Sequence, residues 1–320
     1  MSEPYSADDG LVRVYPGRAP SRAGAGVGEA SAGATLDAGK ARADLPSAGL
    51  VWAHGGGFAF GDLDMPEADA VARALAAAGV TVVSVDYRLV DQGCRYPAPS
   101  DDVVTAWTWT IDNAERLGIH PTRLAIGGAS AGANLATGAV LRLIAGGAAL
   151  PAAVVLAYPT LHAIQPAPGP ALRAALDADP EADRFGPAAV LGMYENFLGG
   201  PVHEAPVAAI PGTAAAFDLG GFPATLMING DTDELRVSGE AFADTLRSAG
   251  VAVDVATEPG TQHGHLNRPD QPAFSSSIDR ITEFFAGLPA STYPSTSTNP
   301  SASTNASTLA TDQRTEGSLT

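Results

Sequence analysis

Short apolar runs alternate with longer amphipathic segments along most of the chain. The apolar runs predict buried strands at residues 50–53, 80–85, 123–126, 152–157, 224–229 and 251–257. Segments with helical periodicity lie between and after them, at residues 66–78, 101–117, 131–144, 237–249 and 274–285. A continuous β-branched run such as 80–85 is typical of a parallel strand that is buried on both faces. The alternation therefore predicts an α/β fold, with a mostly parallel central sheet and helices on both of its faces.

Three segments depart from this alternation. Residues 1–47 hold one short predicted strand and then a Gly/Ala-rich stretch from residue 18 without periodicity, which predicts a mobile insertion. Residues 160–215 are rich in proline and glycine, with short helical pieces, and predict a small cap over the strand ends. From residue 288 the Ser/Thr-rich chain is predicted to be disordered. The predicted α/β domain is therefore 48–287.

Composition narrows the classes of partner. A net charge of −17 disfavours nucleic acids and anionic membrane surfaces, because both would repel the chain. The single cysteine, Cys94, excludes an intrachain disulfide and fits a reducing compartment. The first ten residues lack the apolar core of a secretory signal, so we expect a cytoplasmic protein. Histidines, cysteines and carboxylates are not clustered at ligand spacing, which argues against a metal site.

Candidate catalytic residues follow the predicted strands. Ser130 stands between glycines in a strand–turn–helix context, which is the pattern of a nucleophile elbow. Two aspartates, Asp231 and Asp233, come after strand 224–229, and two histidines, His263 and His265, follow the last strand. A serine hydroxyl needs a base, and the base needs an orienting acid. The order serine, acid, histidine fits that requirement, with either aspartate and either histidine open as the partner.

A glycine-rich loop supplies a fourth element. His54, Gly55, Gly56 and Gly57 directly follow the first apolar strand. Backbone N–H groups in such a loop can point at a developing oxyanion, and the residue after the nucleophile, Ala131, adds a further donor. His54 and Gly55 are expected to support the loop, with His54 hydrogen-bonded to nearby backbone rather than carrying protons.

These motifs, in this order, resemble those of the α/β-hydrolase fold-3 family of bacterial hormone-sensitive-lipase-type esterases. The resemblance covers about residues 48–287 and includes Asp86-Tyr87-Arg88-Leu89, Tyr96-Pro97-Ala98-Pro99 and Asp233-Glu234-Leu235-Arg236. It implies a Ser130–Asp233–His263 triad, an oxyanion hole made by Gly56, Gly57 and Ala131, and hydrolysis of small-molecule esters without a cofactor. Members of the family often dimerise, so a homodimer is among the assemblies that the resemblance allows.

The chain also departs from the family pattern. Ala129 stands where the family usually has aspartate, Ala133 where it has glycine, and His265 where it has an aromatic residue. Residues 1–47 lack the two amphipathic helices of the usual N-terminal cap, which implies an open pocket suited to short acyl chains. A dehydratase-like lyase, a ligand-binding protein and an amide or lactone hydrolase remain alternative functions.

Overall fold

The computed structural model describes residues 3–17 and 47–288, which form one eight-stranded sheet and its covering helices. The strands are β1 (Tyr5–Ala7), β2 (Val12–Tyr15), β3 (Ala48–Ala53), β4 (Val80–Val85), β5 (Leu124–Ala129), β6 (Val154–Ala157), β7 (Thr225–Thr232) and β8 (Val253–Gln262). The helices are α1 (Pro66–Ala77), α2 (Ala98–Asp112), α3 (Ala131–Ala145), α4 (Pro170–Ala178), α5 (Pro187–Leu198), α6 (Arg236–Ser248) and α7 (Pro272–Gly287). Apart from Ser47 and Leu288, the predicted insertion at 18–47 and the predicted tail from 288 lie outside the described residues.

The sheet has the strand order β1-β2-β4-β3-β5-β6-β7-β8. All pairings from β4 to β8 are parallel, whereas β1 and β2 form a hairpin that pairs antiparallel with β4. The predicted mostly parallel sheet is therefore found. The hairpin adds β1, which the sequence pattern does not predict because three mostly exposed residues carry too little periodicity.

Apolar side chains cover both faces of the sheet. On one face α1 and α7 pack against residues such as Trp52, and on the other α2, α3 and α6 pack against residues such as Val51. Every residue of β3, β4 and β5 is buried, as their continuous apolar runs require. Large side chains with no exposed surface each contribute about 1.5–3 kcal/mol of hydrophobic stabilisation. The central strands therefore give the loops at their ends a rigid support.

The predicted cap inserts between the neighbouring strands β6 and β7 and contains α4 and α5. The ring of Phe197 in α5 stacks on Phe58 of the glycine-rich loop, with centroids 4.0 Å apart. The hydroxyl of Tyr194, also in α5, accepts a hydrogen bond from Asn134 at 2.7 Å and donates one to the Thr160 carbonyl at 3.0 Å. These contacts fix the cap over the glycine-rich loop and the beginning of α3.

Candidate active site

Five neighbouring strands end at one edge of the sheet, and each is followed by a polar group. The glycine-rich loop beginning at His54 follows β3, Ser130 follows β5 and Tyr158 follows β6. Asp233 and His263 directly follow β7 and β8. The carboxyl ends of parallel strands are where ligands bind in folds of this class. The sheet thus brings together residues that are far apart in the chain.

Ser130 lies in a strained turn between β5 and α3. Its φ of 52° and ψ of −116° belong to a region that residues with a side chain rarely adopt, at a cost of about 1–3 kcal/mol. The turn is held by a hydrogen bond from the Ser130 N–H to the Ala157 carbonyl at 2.9 Å. A Cβ at Gly128 would lie 2.5 Å from the Ala53 carbonyl oxygen. Only glycine therefore lets this turn pack against β3.

Ser130, His263 and Asp233 form a continuous hydrogen-bonded chain. His263 Nε2 lies 3.0 Å from Ser130 Oγ, and His263 Nδ1 lies 2.8 Å from Asp233 Oδ2. The Asp233 side chain is fully buried and that of His263 is 8% exposed. The second oxygen of Asp233 accepts the Leu235 N–H at 2.9 Å, which fixes the carboxylate. A carboxylate at Nδ1 favours the tautomer with its proton there, and Nε2 is then free to accept the serine proton.

The structure separates the two competing residues from this chain. Asp231 accepts a hydrogen bond from the Gly260 N–H at 3.0 Å and lies 3.6 Å from the guanidinium of Arg236, on the exposed side of the turn. His265 is buried, and its Nε2 lies 2.8 Å from Ser277 Oγ. Burial lowers the pKa of His265 to about 4, so its ring is neutral at physiological pH. His263 is thus the histidine that contacts Ser130, and Asp233 is the aspartate that contacts His263.

The glycine-rich loop presents backbone donors to the same place. Gly56 and Gly57 have φ values of 115° and 59°, which only glycine adopts without strain. Both line one cavity with Ser130. Within the described residues no acceptor takes the N–H groups of Gly56, Gly57 or Ala131, and Ala131 is the first residue of α3. These free N–H groups are suited to hold a negatively charged oxygen.

His54 braces this loop from inside the protein. Its Nδ1 lies 2.7 Å from the Gly55 carbonyl, and its ring stacks on Tyr87 with centroids 4.3 Å apart. The Tyr87 hydroxyl donates to the His54 carbonyl at 2.8 Å. Burial lowers the pKa of His54, which keeps the imidazole neutral. His54 therefore acts through packing and backbone contacts.

Glu67, in the first turn of α1, is a buried carboxylate that the sequence analysis did not single out. It accepts hydrogen bonds from the Gly55 N–H at 2.5 Å, the Tyr158 hydroxyl at 2.7 Å and the Asn267 amide at 2.9 Å. Burial, followed by the charge of Glu67, raises the pKa of Tyr158 well above its usual value, so the phenol stays a donor. Tyr158 could have been found by the strand-end rule, since it directly follows β6.

The cavity above Ser130 has a volume of about 650 Å³ and a wall of mixed character. Its apolar part includes Phe60, Met65, Phe185 and Met193. The Phe185 ring packs on His263, with centroids 4.5 Å apart.

The described residues contain no group of three or more metal-ligating side chains close enough to hold an ion. In the same part of the chain, no helix has the length and apolar character that crossing a membrane requires.

The alanines that depart from the family pattern lie away from this wall. Ala129 and Ala133 are fully buried, in the two apolar cores on opposite faces of the sheet. Neither lines the cavity. His265, the third departure, occupies a buried position beside Tyr158, with ring centroids 5.1 Å apart. These residues therefore contribute to the packing behind the site, and the Ser130–His263–Asp233 hydrogen bonds are formed with them in place.

Comparisons with known proteins agree with this architecture. A family model described as the alpha/beta hydrolase fold matches residues 50–267. The chain is 38% identical over 221 residues to carboxylesterase NlhH of Mycobacterium tuberculosis, covering 68% of this chain and 66% of the relative. It is 35% identical over 232 residues to ethyl acetate hydrolase of Pseudomonas putida, covering 69% of this chain and 67% of the relative. An esterase structure from Pyrobaculum calidifontis matches with a TM-score of 0.68 at 28% identity, covering 86% of this chain and 80% of that one.

The matched region thus spans about two thirds of the length of these curated relatives. The family model alone covers more than half of the chain, and the structural match extends over most of it. Both the predicted family and the predicted fold class are confirmed. The chain belongs to the α/β-hydrolase fold family.

Proposed function

We propose that the protein is a carboxylesterase that cleaves small-molecule esters through an acyl-enzyme on Ser130. The observation that carries this proposal is the hydrogen-bonded chain from Ser130 Oγ through His263 to Asp233, with distances of 3.0 and 2.8 Å. The names of the relatives, carboxylesterase and ethyl acetate hydrolase, support the same activity.

The proposed reaction has two steps. His263 Nε2 takes the proton of Ser130 as Oγ attacks the ester carbonyl, and Asp233 stabilises the imidazolium that forms. The carbonyl oxygen becomes an oxyanion, which the N–H groups of Gly56, Gly57 and Ala131 hold. His263 then protonates the leaving alcohol. In the second step His263 takes a proton from water, the resulting hydroxide attacks the acyl-enzyme, and Ser130 regains its proton as the acid leaves.

We expect short acyl chains among the substrates. The cavity of about 650 Å³ is of the size that encloses a small organic molecule, and its apolar wall favours hydrocarbon groups. The same catalytic geometry suits amides and lactones, so a substrate panel needs both. A lyase or a ligand-binding protein would use the same cavity without needing the complete Ser130–His263–Asp233 chain.

The test is turnover of a graded series of p-nitrophenyl esters, an anilide and a lactone by the parent and by Ser130→Ala. We expect ester turnover that falls with acyl length and is lost in the serine variant. A matched pair, Asp233→Asn and Asp231→Asn, tests the choice of acid. The first is expected to lower kcat by about 10⁴-fold, as loss of the correct tautomer does in other serine hydrolases, and the second to leave it nearly unchanged. Turnover that survives Ser130→Ala would refute the proposal.

The predictions on partners and location rest on the amino-acid sequence. A cytoplasmic location is supported by the single cysteine, Cys94, and the absence of nucleic-acid or membrane partners by the net charge of −17. A homodimer stays a prediction from the family resemblance.

A further inference from the structure

Two arginines line the cavity above Ser130. Arg184 comes from the cap, between α4 and α5, and Arg268 from the chain that follows His263. They reach the same cavity from separate segments, and the side chains of both residues are exposed at its mouth. Positive charge therefore faces a substrate from two sides.

These arginines differ from all the others that the structure describes. Each of the others forms an ion pair with a carboxylate or donates a side-chain hydrogen bond to a neutral oxygen. Among the described residues, no acceptor takes a hydrogen bond from the guanidinium of Arg184 or Arg268. Both are free to bind an anion that enters from solvent.

Arg184 is also held in relation to the catalytic base. Its guanidinium lies over the ring of Phe185, 5.6 Å from the centroid, and the other neighbour of that ring is His263. A guanidinium over an aromatic face is stabilised by the quadrupole of the ring. Phe185 therefore contacts both the guanidinium of Arg184 and the imidazole of His263.

The local charge is opposite to that of the whole chain. The protein has a net charge of −17, yet within the described residues the only carboxylate that lines the cavity is Glu67. Glu67 is 2% exposed and accepts three hydrogen bonds, so it does not compete for the arginines. An anionic substrate that is repelled by the general surface meets an attractive mouth here.

We propose that Arg184 and Arg268 form a subsite for a carboxylate, and that the preferred substrates are half-esters of dicarboxylic acids. The inference rests on the esterase activity proposed above. Guanidinium groups bind carboxylates through paired hydrogen bonds, and a second carboxylate on the acyl chain would lie at the cavity mouth while the ester carbonyl lies at Ser130. The subsite acts on binding, so its effect falls mainly on KM.

The test compares monoethyl glutarate with ethyl 5-oxohexanoate, in which a methyl ketone replaces the carboxylate. Hydrolysis by the parent, Arg184→Gln, Arg268→Gln and Arg116→Gln is followed in a pH-stat at low and high salt. Arg116 is the matched control, because it is exposed, lies over the Trp109 ring at 5.5 Å and is absent from the cavity wall. The neutral ester checks that each variant is folded.

We expect the parent to favour the half-ester in kcat/KM, and high salt to reduce that preference. Each cavity variant should lower the preference about five-fold through KM, as loss of one exposed charge pair does, whereas Arg116→Gln should not change it. If all four proteins hydrolyse both esters with the same ratio of kcat/KM for the half-ester to kcat/KM for the neutral ester, the proposed subsite would be overturned. Failure of the parent to hydrolyse either ester would overturn the esterase proposal, and the subsite with it.

Discussion

Replacement of Glu67 by glutamine tests how the glycine-rich loop is held. The carboxylate accepts the Gly55 N–H on one oxygen and the Tyr158 and Asn267 donors on the other. A glutamine of the same shape offers only one oxygen. If that oxygen keeps Tyr158 and Asn267, the amide nitrogen faces the Gly55 N–H, and two donors oppose each other. We expect the loop to lose its link to α1.

The size of the effect follows from the bonds involved. A buried N–H left without an acceptor costs about 1–3 kcal/mol. Other bonds keep the loop close to its place, including those from Tyr87 to the His54 carbonyl and from the Val90 N–H to the Phe58 carbonyl. Outright removal of an oxyanion donor lowers kcat by about 10²–10³-fold, which sets the upper limit. If the glycine-rich loop shifts but stays beside Ser130, kcat of the variant should therefore fall about ten-fold, which corresponds to 1.36 kcal/mol.

The assay is steady-state hydrolysis of a neutral short-chain p-nitrophenyl ester, with thermal unfolding measured in parallel. Glu195→Gln is the matched control, because Glu195 is exposed on α5 and undergoes the same chemical change. We expect Glu67→Gln to lower kcat while KM changes little, because the oxyanion exists only in the transition state. A kcat within about two-fold of the parent would show that the loop does not depend on this carboxylate.

Two further predictions concern stability. Below its unfolded pKa of 6.5 His265 takes up a proton in the unfolded chain, whereas the folded chain resists protonation down to about pH 4. The stability it confers is thus complete above pH 6.5 and decreases by up to about 3 kcal/mol as pH falls through that window, at 1.36 kcal/mol per pKa unit. Urea unfolding near pH 7 and near pH 5 should show a larger loss for the parent than for His265→Gln, and parallel losses would contradict this account. Gly128→Ala should destabilise the protein by about 1–3 kcal/mol, because its Cβ would lie 2.5 Å from the Ala53 carbonyl oxygen. Gly192→Ala, in α5 with open space around it, should instead stabilise by about 0.5–1 kcal/mol; equal melting temperatures would exclude the proposed crowding.

The sequence pattern predicts the central strands well because burial leaves a direct trace. Residues 80–85, buried on both faces, read as one apolar run, and β4 occupies those same positions. Partly exposed elements leave a weaker trace. β8 extends to Gln262, beyond the predicted end at residue 257, because its last residues are polar, proline or glycine and pair only with the end of β7. Helix α2 begins at Ala98, before the predicted start, because prolines suit a first turn.

The candidate site likewise contains some residues that the sequence indicates and others that it does not. Ser130, a choice of two aspartates and a choice of two histidines can be predicted, because their order along the chain and their positions after strands both carry information. Glu67 could not, since its partners Tyr158 and Asn267 are 91 and 200 residues away and no local periodicity marks a buried carboxylate. The residues alone leave Asp231 and His265 open as partners, the family resemblance indicates Asp233 and His263, and the structure brings these two into one hydrogen-bonded chain with Ser130. Local sequence motifs therefore indicate the catalytic residues, whereas the residues that hold them in place are found only from tertiary contacts.

The placement of one polar group after each of five adjacent strands has a consequence for how the protein gains activity. His263 Nε2 contacts Ser130 Oγ although the two residues are 133 positions apart in the chain, and His263 contacts Asp233 from 30 positions away. Such contacts form late, because chain entropy must be lost before distant strands can pair. Regain of turnover after dilution from denaturant should therefore lag behind regain of helical signal. In the proposed mechanism turnover requires the completed β7–β8 pairing, so a variant truncated before β8 should show none.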